Sequence, residues 1–224
     1  MTANKTAPNT YSGKLYTTRG PAFNAVPWDP MAVVATEAGT GTLTFTDGSN
    51  GTFNYVIGAT NQSKSVTRQV FGPLPTCTWG GGTGLAAATN YQDLWWKSPA
   101  ASESGWGINL NHEGDTIFAT WFTYDLGGAP LWLVATATKT APNVFSGDLL
   151  ETTGPAYNVL PFDPSKVAST KVGAVTFTFA DGNNATFDYT VQLAGMVLGE
   201  TILSSSPTTE KVGGSWAEYS EWPV

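Results

Sequence analysis

The sequence predicts an all-β protein, an antiparallel meander closed as a β-barrel, with a β-sandwich as the alternative. Apolar and polar residues alternate with period two through much of the chain, which is the periodicity of a half-buried strand. No window of helical length carries apolar residues at i, i+3 and i+4. The alternating segments are short and are joined by Gly, Asn and Asp turns, which favours a closed meander over a layered α/β fold.

The chain contains an internal repeat. Residues 4–57 align without a gap onto residues 138–191, and 28 of the 54 aligned pairs are identical. Several of the differences exchange one large apolar group for another, as Tyr11 for Phe145 does. We call the two segments the first and second B copies, and we expect them to share one fold.

The repeat divides the chain into four predicted segments. Residues 1–72 hold the first B copy, and residues 73–90 form a Gly/Pro-rich linker. Residues 91–212 hold a block that occurs once, Tyr91–Thr136, followed by the second B copy. We call Tyr91–Thr136 the Trp-rich block. Residues 213–224 carry three aromatic side chains. Two interpretations of this tail are open: it docks back onto the fold as a strand, or it is not part of the natural protein.

The first B copy has no Trp-rich block ahead of it. Its edge strands and apolar face therefore need a partner. Three hypotheses are open: the single block serves both copies in one closed structure, a second chain supplies a block, or the chain belongs to a longer tandem array.

Turn-forming residues predict where the strands of each B copy begin and end. Strands on either side of Asp47–Gly51, and of 181–184, predict two β-hairpins with one wet face. The segment that begins Gly20-Pro-Ala-Phe-Asn, with Pro27 and Pro30 soon after, cannot form a central strand. We expect it to be an ordered loop over one mouth of the barrel.

The Trp-rich block predicts further strands. From Trp106 to His112, alternate residues share an apolar face, and the intervening residues, among them Asn109 and Asn111, lie on the other face. Segments 117–124 and 131–134 are apolar on both faces, which indicates strands that are covered on two sides or whose outer face binds something. The consecutive Trp95 and Trp96 must point to opposite faces of a strand.

These motifs resemble a known repeat. The runs ESGWGINL from Glu103, FATWFTYD from Phe118 and PLWLV from Pro130, followed by YSG or FSG and TTGPAYN, are similar to an uncharacterised Trp-rich repeat domain of secreted proteobacterial proteins. That repeat occurs in tandem and sometimes beside a trypsin-like protease domain. The resemblance covers nearly all of residues 4–206. It implies an exported bacterial protein of modular build and implies no catalytic residue.

Composition excludes several classes of partner. Ten Lys and Arg against seventeen Asp and Glu give a net charge of −7, so we expect no nucleic-acid partner. No stretch approaches the roughly 18 apolar residues of a spanning helix, so we expect no membrane insertion. We expect an extracellular or cell-surface location, although Met1 is followed by no apolar signal region. The single cysteine, Cys77, excludes an intrachain disulfide.

The acidic residues and the single histidine are weak catalytic candidates. A hydrolase would have to use Glu103 with His112, the only histidine. A structural histidine bonded to backbone is the favoured interpretation. A glycosidase pair of Glu103 with Glu113 or Asp115 is disfavoured, because acids beside Gly in turns usually accept backbone N–H bonds. We assign no catalytic residue, expect no cofactor and no metal site, and interpret the Asp-rich turns as hairpins rather than Ca²⁺ loops.

The aromatic residues carry the functional prediction. Nine Trp, eight Tyr and eleven Phe exceed what one small core needs, and an indole beside Asn or Asp is a usual platform for a sugar ring or apolar ligand. We therefore predict a binding module for a carbohydrate or small apolar ligand at a barrel mouth. The alternatives are an adhesive assembly module that forms swapped homo-oligomers or fibres, and the hydrolase. The predicted ligand-binding residues are Trp96, Trp106, Trp121, Trp132, Glu103, Asn109 and Asn111.

Overall fold

The computed structural model describes residues 1–75, 85–193, 203–205 and 208–211. Its strands are β1 (Asn4–Ala7), β2 (Thr10–Arg19), β3 (Val34–Phe45), β4 (Asn50–Ile57), β5 (Thr60–Thr67), β6 (Asp93–Lys97), β7 (Gly107–Glu113), β8 (Thr116–Tyr124), β9 (Pro130–Ala141), β10 (Val144–Thr153), β11 (Ala168–Phe179), β12 (Asn184–Val191), β13 (Leu203–Ser205) and β14 (Thr208–Lys211). Three single turns of 3-10 helix lie at Pro30–Ala32, Leu85–Ala87 and Pro164–Lys166. The predicted all-β class is confirmed. Among the described residues there is no helix with the length and apolar character needed to cross a membrane.

The first B copy forms a sheet of its own. Its five antiparallel strands follow chain order, so β1 and β5 are the edges. The predicted hairpin joins β3 to β4, with Phe45 opposite Gly51. A tighter hairpin joins β4 to β5, with Ile57 opposite Thr60. We call this five-stranded unit the first sheet.

The Trp-rich block and the second B copy form the second sheet, which closes on itself. Strands β6 to β11 pair in chain order, β11 pairs with β12, and β12 pairs with both β13 and β14. The ring is completed where β14 pairs with β6, with Glu210 opposite Trp96. The antiparallel sheets that were predicted are therefore present, and this strongly curled ring of pairings fits the predicted barrel as well as the β-sandwich alternative. We call this second sheet the barrel.

The barrel interior is filled by side chains rather than left as a channel. Period-two alternation places every second residue of each strand inside. The largest fully buried side chains are Trp95, Tyr124, Phe187, Ile108, Leu110, Ile117, Leu133, Leu149 and Val191. Tyr91 stacks on Phe179 with ring centroids 3.6 Å apart, so the interior is packed through aromatic contacts.

The two B copies preserve cross-strand contacts as well as the fold. Ser12 and Thr42 hydroxyls lie 2.9 Å apart in the first sheet, and the repeat-equivalent Ser146 and Thr176 lie 2.9 Å apart in the barrel. An exposed ion pair, Lys14 Nζ to Glu37 Oε2 at 2.7 Å, has as its equivalent the pair Lys171 Nζ to Asp148 Oδ1 at 2.6 Å. The charges have exchanged strands, while the attraction between the strands is kept.

A long loop of the first B copy lies against the barrel. Residues 20–33, between β2 and β3, lie over the barrel end where β8 turns into β9, as the sequence predicted. The Phe23 amide donates to the Tyr124 carbonyl at 2.9 Å, and the Trp28 indole N–H donates to the Ser104 carbonyl at 3.2 Å. We call residues 20–33 the first cap loop.

The hypothesis that one Trp-rich block closes both B copies into a single structure is wrong for the strand pairing. The strands of the block pair with the second B copy alone, and β1 and β5 of the first sheet have no further strand beside them among the described residues. The reason is that β9 begins in the block and ends in the second B copy. The β9 edge of the block is therefore covalently joined to the second B copy and cannot pair with the first. The expected docking of the 213–224 tail falls outside the described residues.

Candidate ligand-binding site

The barrel separates the four predicted ligand-binding tryptophans onto two faces. Trp106 and Trp121 are buried inside. Trp96 is half-buried and lies on the opposite face from the buried Trp95, as predicted. Trp132 is 64% exposed on the outer surface of β9. The four therefore do not share one surface.

The barrel mouth is filled by protein. Phe23 of the first cap loop meets Trp121 edge to face, with ring centroids 6.0 Å apart. Trp121 also contacts Tyr189 at 4.6 Å and Trp106 at 6.4 Å. This ring cluster occupies the position in which the sequence analysis expected a ligand, so the predicted barrel-mouth site is replaced by an aromatic plug.

An aromatic row instead crosses the outer face of the block. Directly paired residues of neighbouring strands point to the same side of a sheet. Phe122 of β8 is opposite both Gly107 of β7 and Trp132 of β9, and the register of β6 with β7 places Trp96 beside Gly107. Strands are about 4.8 Å apart, so the row from Trp96 to Trp132 spans about 14 Å. We call Trp96, Phe122 and Trp132 the aromatic row.

Gly107 lets the Phe122 ring lie across β7. A β-carbon added at Gly107 would lie 2.7 Å from Cζ of Phe122 and 3.1 Å from the Trp95 carbonyl oxygen. Such distances are shorter than van der Waals contact, so a larger residue would push the ring outward. The glycine in the motif ESGWGINL therefore has a local role in shaping the aromatic row.

Polar side chains continue the same face along β7. Asn109 and Asn111 are exposed and pair with Thr120 and Phe118 of β8. From Gly107 to Asn111 is four residues, which is about 13 Å along a strand. The outer face of β6–β9 thus presents aromatic rings at one end and neutral amides toward the other.

A cleft of about 510 Å³ lies where the amide end of this face meets the first sheet. Its walls combine polar groups with apolar ones. They include Arg68, Gln92, Asn111, Phe71, Leu74 and Phe118. Arg68 is held in place because its guanidinium donates twice to the Gly48 carbonyl, at 2.8 and 3.1 Å. The cleft is of the size and mixed polarity of small-molecule sites.

Glu113 fixes the wall of the cleft between sheet and barrel. Its side chain is buried, and Oε2 accepts the Phe71 and Gly72 amides at 2.6 and 2.7 Å. Burying a carboxylate is costly unless it accepts hydrogen bonds, and these two amides supply them. Glu113 therefore ties the two residues just before the 73–90 linker to β7 rather than serving as half of a glycosidase pair.

Glu103 lies at the plugged end of the barrel. Its Oε2 accepts the Trp106 indole N–H at 3.0 Å. The predicted contact residue thus positions a core tryptophan and is separate from the aromatic row. Gly107 and His112 are five residues apart in β7, about 17 Å along the strand, so Glu103 and His112 lie toward opposite ends of the barrel and do not form a catalytic pair.

His112 is a structural histidine. Its Nδ1 accepts the Tyr91 amide at 3.0 Å, and its Nε2 lies 2.8 Å from the Gly114 carbonyl, which assigns the proton to Nε2. Both ring nitrogens are therefore engaged by backbone. Burial lowers the pKa of His112, against a smaller raising effect of the Gly114 bond.

The Asp-rich turns serve the hairpins. Oδ1 of Asp47 accepts the Ser49 and Asn50 amides at 2.7 and 2.8 Å, and Asp181 accepts the amides of its own hairpin in the same way. The Asn50 side chain contributes most to lowering the pKa of Asp47. Within the described ranges no three His, Cys, Asp or Glu side chains are grouped as metal ligands would be.

Phe118, Phe122 and Arg68 were not among the predicted ligand-binding residues. A signal for the first two was present, because the turn at Gly114-Asp115 pairs Glu113 with Thr116 and so carries both phenylalanines to the face of Asn109 and Asn111. Arg68 had no such signal. It reaches the cleft only because the first sheet packs beside the barrel.

The candidate ligand-binding site is the outer face of β6–β9. It consists of the aromatic row, the exposed amides of β7 and the cleft beside them. Comparisons of the chain with protein-family models, with curated proteins and with solved structures give no match.

Proposed function

We propose that this chain is an extracellular binding module that recognises a carbohydrate on the outer face of β6–β9. The observation that carries the proposal is Trp132, a tryptophan left 64% exposed near the start of the regular strand β9. Removing an indole from water is favourable, and a structure that leaves one exposed on the outer face of a sheet offers it to a partner.

The chemistry beside Trp132 suits a neutral polyol. Sugar rings present apolar C–H faces, which stack on aromatic rings, and hydroxyl groups, which pair with amides and hydroxyls. Phe122 and Trp132 supply the stacking surface, and Asn109, Asn111 and Thr120 supply neutral donors and acceptors on the same face. The amide groups point to hydroxyl recognition, whereas a purely apolar ligand would leave them unpaired.

The dimensions suit a chain of several sugars rather than one. The aromatic row spans about 14 Å and the polar extension about 13 Å, by the strand spacing and rise. The 510 Å³ cleft at the far end adds Arg68 and Gln92 as further hydrogen-bond donors. An oligosaccharide could contact the row and the cleft at once, whereas a monosaccharide could contact one of them.

The test is a binding measurement on matched variants. Wild-type protein, Trp132→Ala and Asn111→Ala are incubated with insoluble cellulose, chitin and xylan, and titrated with the matching soluble hexasaccharides while Trp fluorescence is followed. Phe162→Ala is the control, because Phe162 is an exposed aromatic on a loop away from β6–β9.

We expect at least one polysaccharide to be bound. Trp132→Ala should weaken that binding by about tenfold or more, since tenfold corresponds to roughly 1.4 kcal/mol, and Phe162→Ala should leave it unchanged. Absence of binding to all three polysaccharides, or equal binding by Trp132→Ala and wild type, would contradict the proposal.

A further inference from the structure

The two B copies are unequally covered, although they share a fold. Phe179 points into the barrel and is 3% exposed, whereas its repeat equivalent in the first sheet, Phe45, is 39% exposed. In the barrel this face is covered by the interior side chains of β6–β9. In the first sheet the same face is covered at its Tyr55 end, where Tyr55 is 5% exposed and contacts Tyr157. At the Phe45 end the described residues supply only contacts from the sheet's own strands, such as that between Tyr11 and Phe45.

One edge of the first sheet, that of β5, corresponds in position to an edge that the Trp-rich block occupies in the barrel. Asn50 pairs with Thr67 of β5, and the equivalent Asn184 pairs with Glu210 of β14. On its other side, β14 pairs with β6. The Thr67 end of β5 therefore occupies the position of β14, and its outer edge corresponds to the edge of β14 to which the block is hydrogen-bonded. The Thr60 end of β5 corresponds in position to β13, which pairs with the other half of β12.

The loop between the second and third strands of each B copy is also unequally covered. Residues 154–167, the repeat equivalent of the first cap loop, lie against the first sheet, and we call them the second cap loop. The Tyr55 hydroxyl donates to the Tyr157 carbonyl at 2.8 Å, and the Gln62 amide donates to the Asn158 carbonyl at 3.0 Å. Each cap loop thus lies on the sheet that contains the other B copy.

The second cap loop lacks what the first one packs against. Phe23 is 7% exposed because Trp121 and its neighbours in the block surround it, whereas the equivalent Tyr157 is 48% exposed. Val33 is 9% exposed beside Gly105, and the equivalent Val167 is 48% exposed. The missing contacts on the loop are contacts that the Trp-rich block makes in the barrel.

We infer that the first sheet is a docking surface for a second Trp-rich block, a four-stranded segment with the chemistry of residues 91–136. One such segment, placed as the block is placed in the barrel, would pair with β5, cover Phe45 and enclose Tyr157 and Val167. The chain's own barrel is the template for this complex. The inference does not rest on carbohydrate binding, because it is argued from β5, Phe45 and the second cap loop. None of these lies in the aromatic row or lines the cleft.

A second copy of this chain is not the occupant. In a second copy the Trp-rich block is continuous with that copy's own second B copy. Both outer strands of the block, β6 and β9, are already paired there, with β14 and β10. Moving that block to a neighbour would open one barrel in order to close another. The occupant is therefore a block from a different polypeptide segment.

The experiment supplies the block to the full chain. A second copy of residues 91–137 is joined directly ahead of Asn4, so that the junction repeats the natural step from residue 137 to residue 138. The matched control carries Asp at the added copies of Ile108, Leu110 and Trp121, the interior-facing side chains. Both proteins carry Cys77→Ser, and each is prepared with Val167→Cys or with Met31→Cys as an alkylation reporter.

We expect amide exchange along Thr60–Thr67 and alkylation of Val167→Cys each to slow by about tenfold or more in the fused protein, because buried and hydrogen-bonded sites open rarely. Met31→Cys, at a position 89% exposed in the first cap loop, should react at an unchanged rate. The Asp-bearing control should match the unfused chain.

Three results would overturn the inference. An added block that stays unfolded, or one that folds without protecting β5 and Val167→Cys, would show that the first sheet does not accept it. An unfused chain that forms a dimer at nanomolar concentration with β5 protected would show that the occupant is a second copy.

Discussion

Phe23 and Trp121 lie 98 positions apart in the chain and meet edge to face, with ring planes at 87° and centroids 6.0 Å apart. Phe23 belongs to the first B copy and Trp121 to the Trp-rich block. Their contact joins the two sheets and closes one end of the barrel. The side chain that the sequence placed in a loop over the barrel therefore forms part of the barrel core.

Replacing Phe23 by alanine should destabilise the barrel. The ring is 7% exposed, and deleting a buried phenylalanine costs about 3 kcal/mol or more. Urea unfolding followed by Trp fluorescence measures the loss. Tyr157→Ala is the matched control at the equivalent position, where the ring is half exposed, and it should cost less than about 1 kcal/mol. Equal losses would show that the first cap loop is no plug.

Enlarging Gly107 should displace Phe122 and disturb the aromatic row. Gly107→Val places side-chain carbons where Cζ of Phe122 lies, and overpacking of this kind costs about 1–3 kcal/mol. We expect lower stability together with weaker polysaccharide binding. Gly127→Ala is the control, since a β-carbon there would meet its nearest heavy atom, Asp125 Oδ1, at 3.4 Å. If a folded Gly107→Val protein bound the polysaccharide as well as wild type does, Phe122 would not be part of the binding site.

His112 should make stability depend on pH below neutrality. Burial lowers the pKa of His112 from its ordinary value of 6.5, so the unfolded chain binds the proton more readily than the folded one. Stability is therefore full above pH 6.5 and falls as the pH drops below it, until the lowered pKa of the folded state is reached. His112→Asn, which does not titrate, should flatten the urea midpoint between pH 7 and pH 5. The same slope in both proteins would exclude His112 as its source.

Removing the Glu113 carboxylate should loosen the chain just before the linker. Glu113→Ala leaves the Phe71 and Gly72 amides without their acceptor, at a cost of about 2 kcal/mol. Glu113→Gln keeps a carbonyl oxygen and should lose less. Amide exchange at residues 68–75 and limited proteolysis report the change. Wild-type protection in Glu113→Ala would show that the apolar walls of the cleft hold the linker without the carboxylate.

Local patterns predicted the elements of this protein well. Alternation from Trp106 to His112 identified the buried face of β7, because period two is a property of the strand itself. The Asp47 and Asp181 turns, the equivalence of the two B copies and the opposite faces of Trp95 and Trp96 follow from the same short-range rules. Each depends on residues that are close together in the chain.

The tertiary structure decided which indoles are accessible. Trp121 and Trp132 both lie in strands that are apolar on both faces, so alternation gives no sign of which face is inward. Pairing with β7 and β10 sends Trp121 into the plug and leaves Trp132 outside. The predicted barrel-mouth site depended on which face of each strand points inward. Contacts between segments that are distant in the chain determine that orientation.

The sequence by itself determined that two equal sheet segments and one Trp-rich block must be arranged together. Only the tertiary structure decided that the block closes the second segment and leaves Phe45 and Tyr157 of the two B copies uncovered. The physical reason is that hydrogen-bonding edges are equivalent in both copies, while β9 is covalently continuous with only one of them.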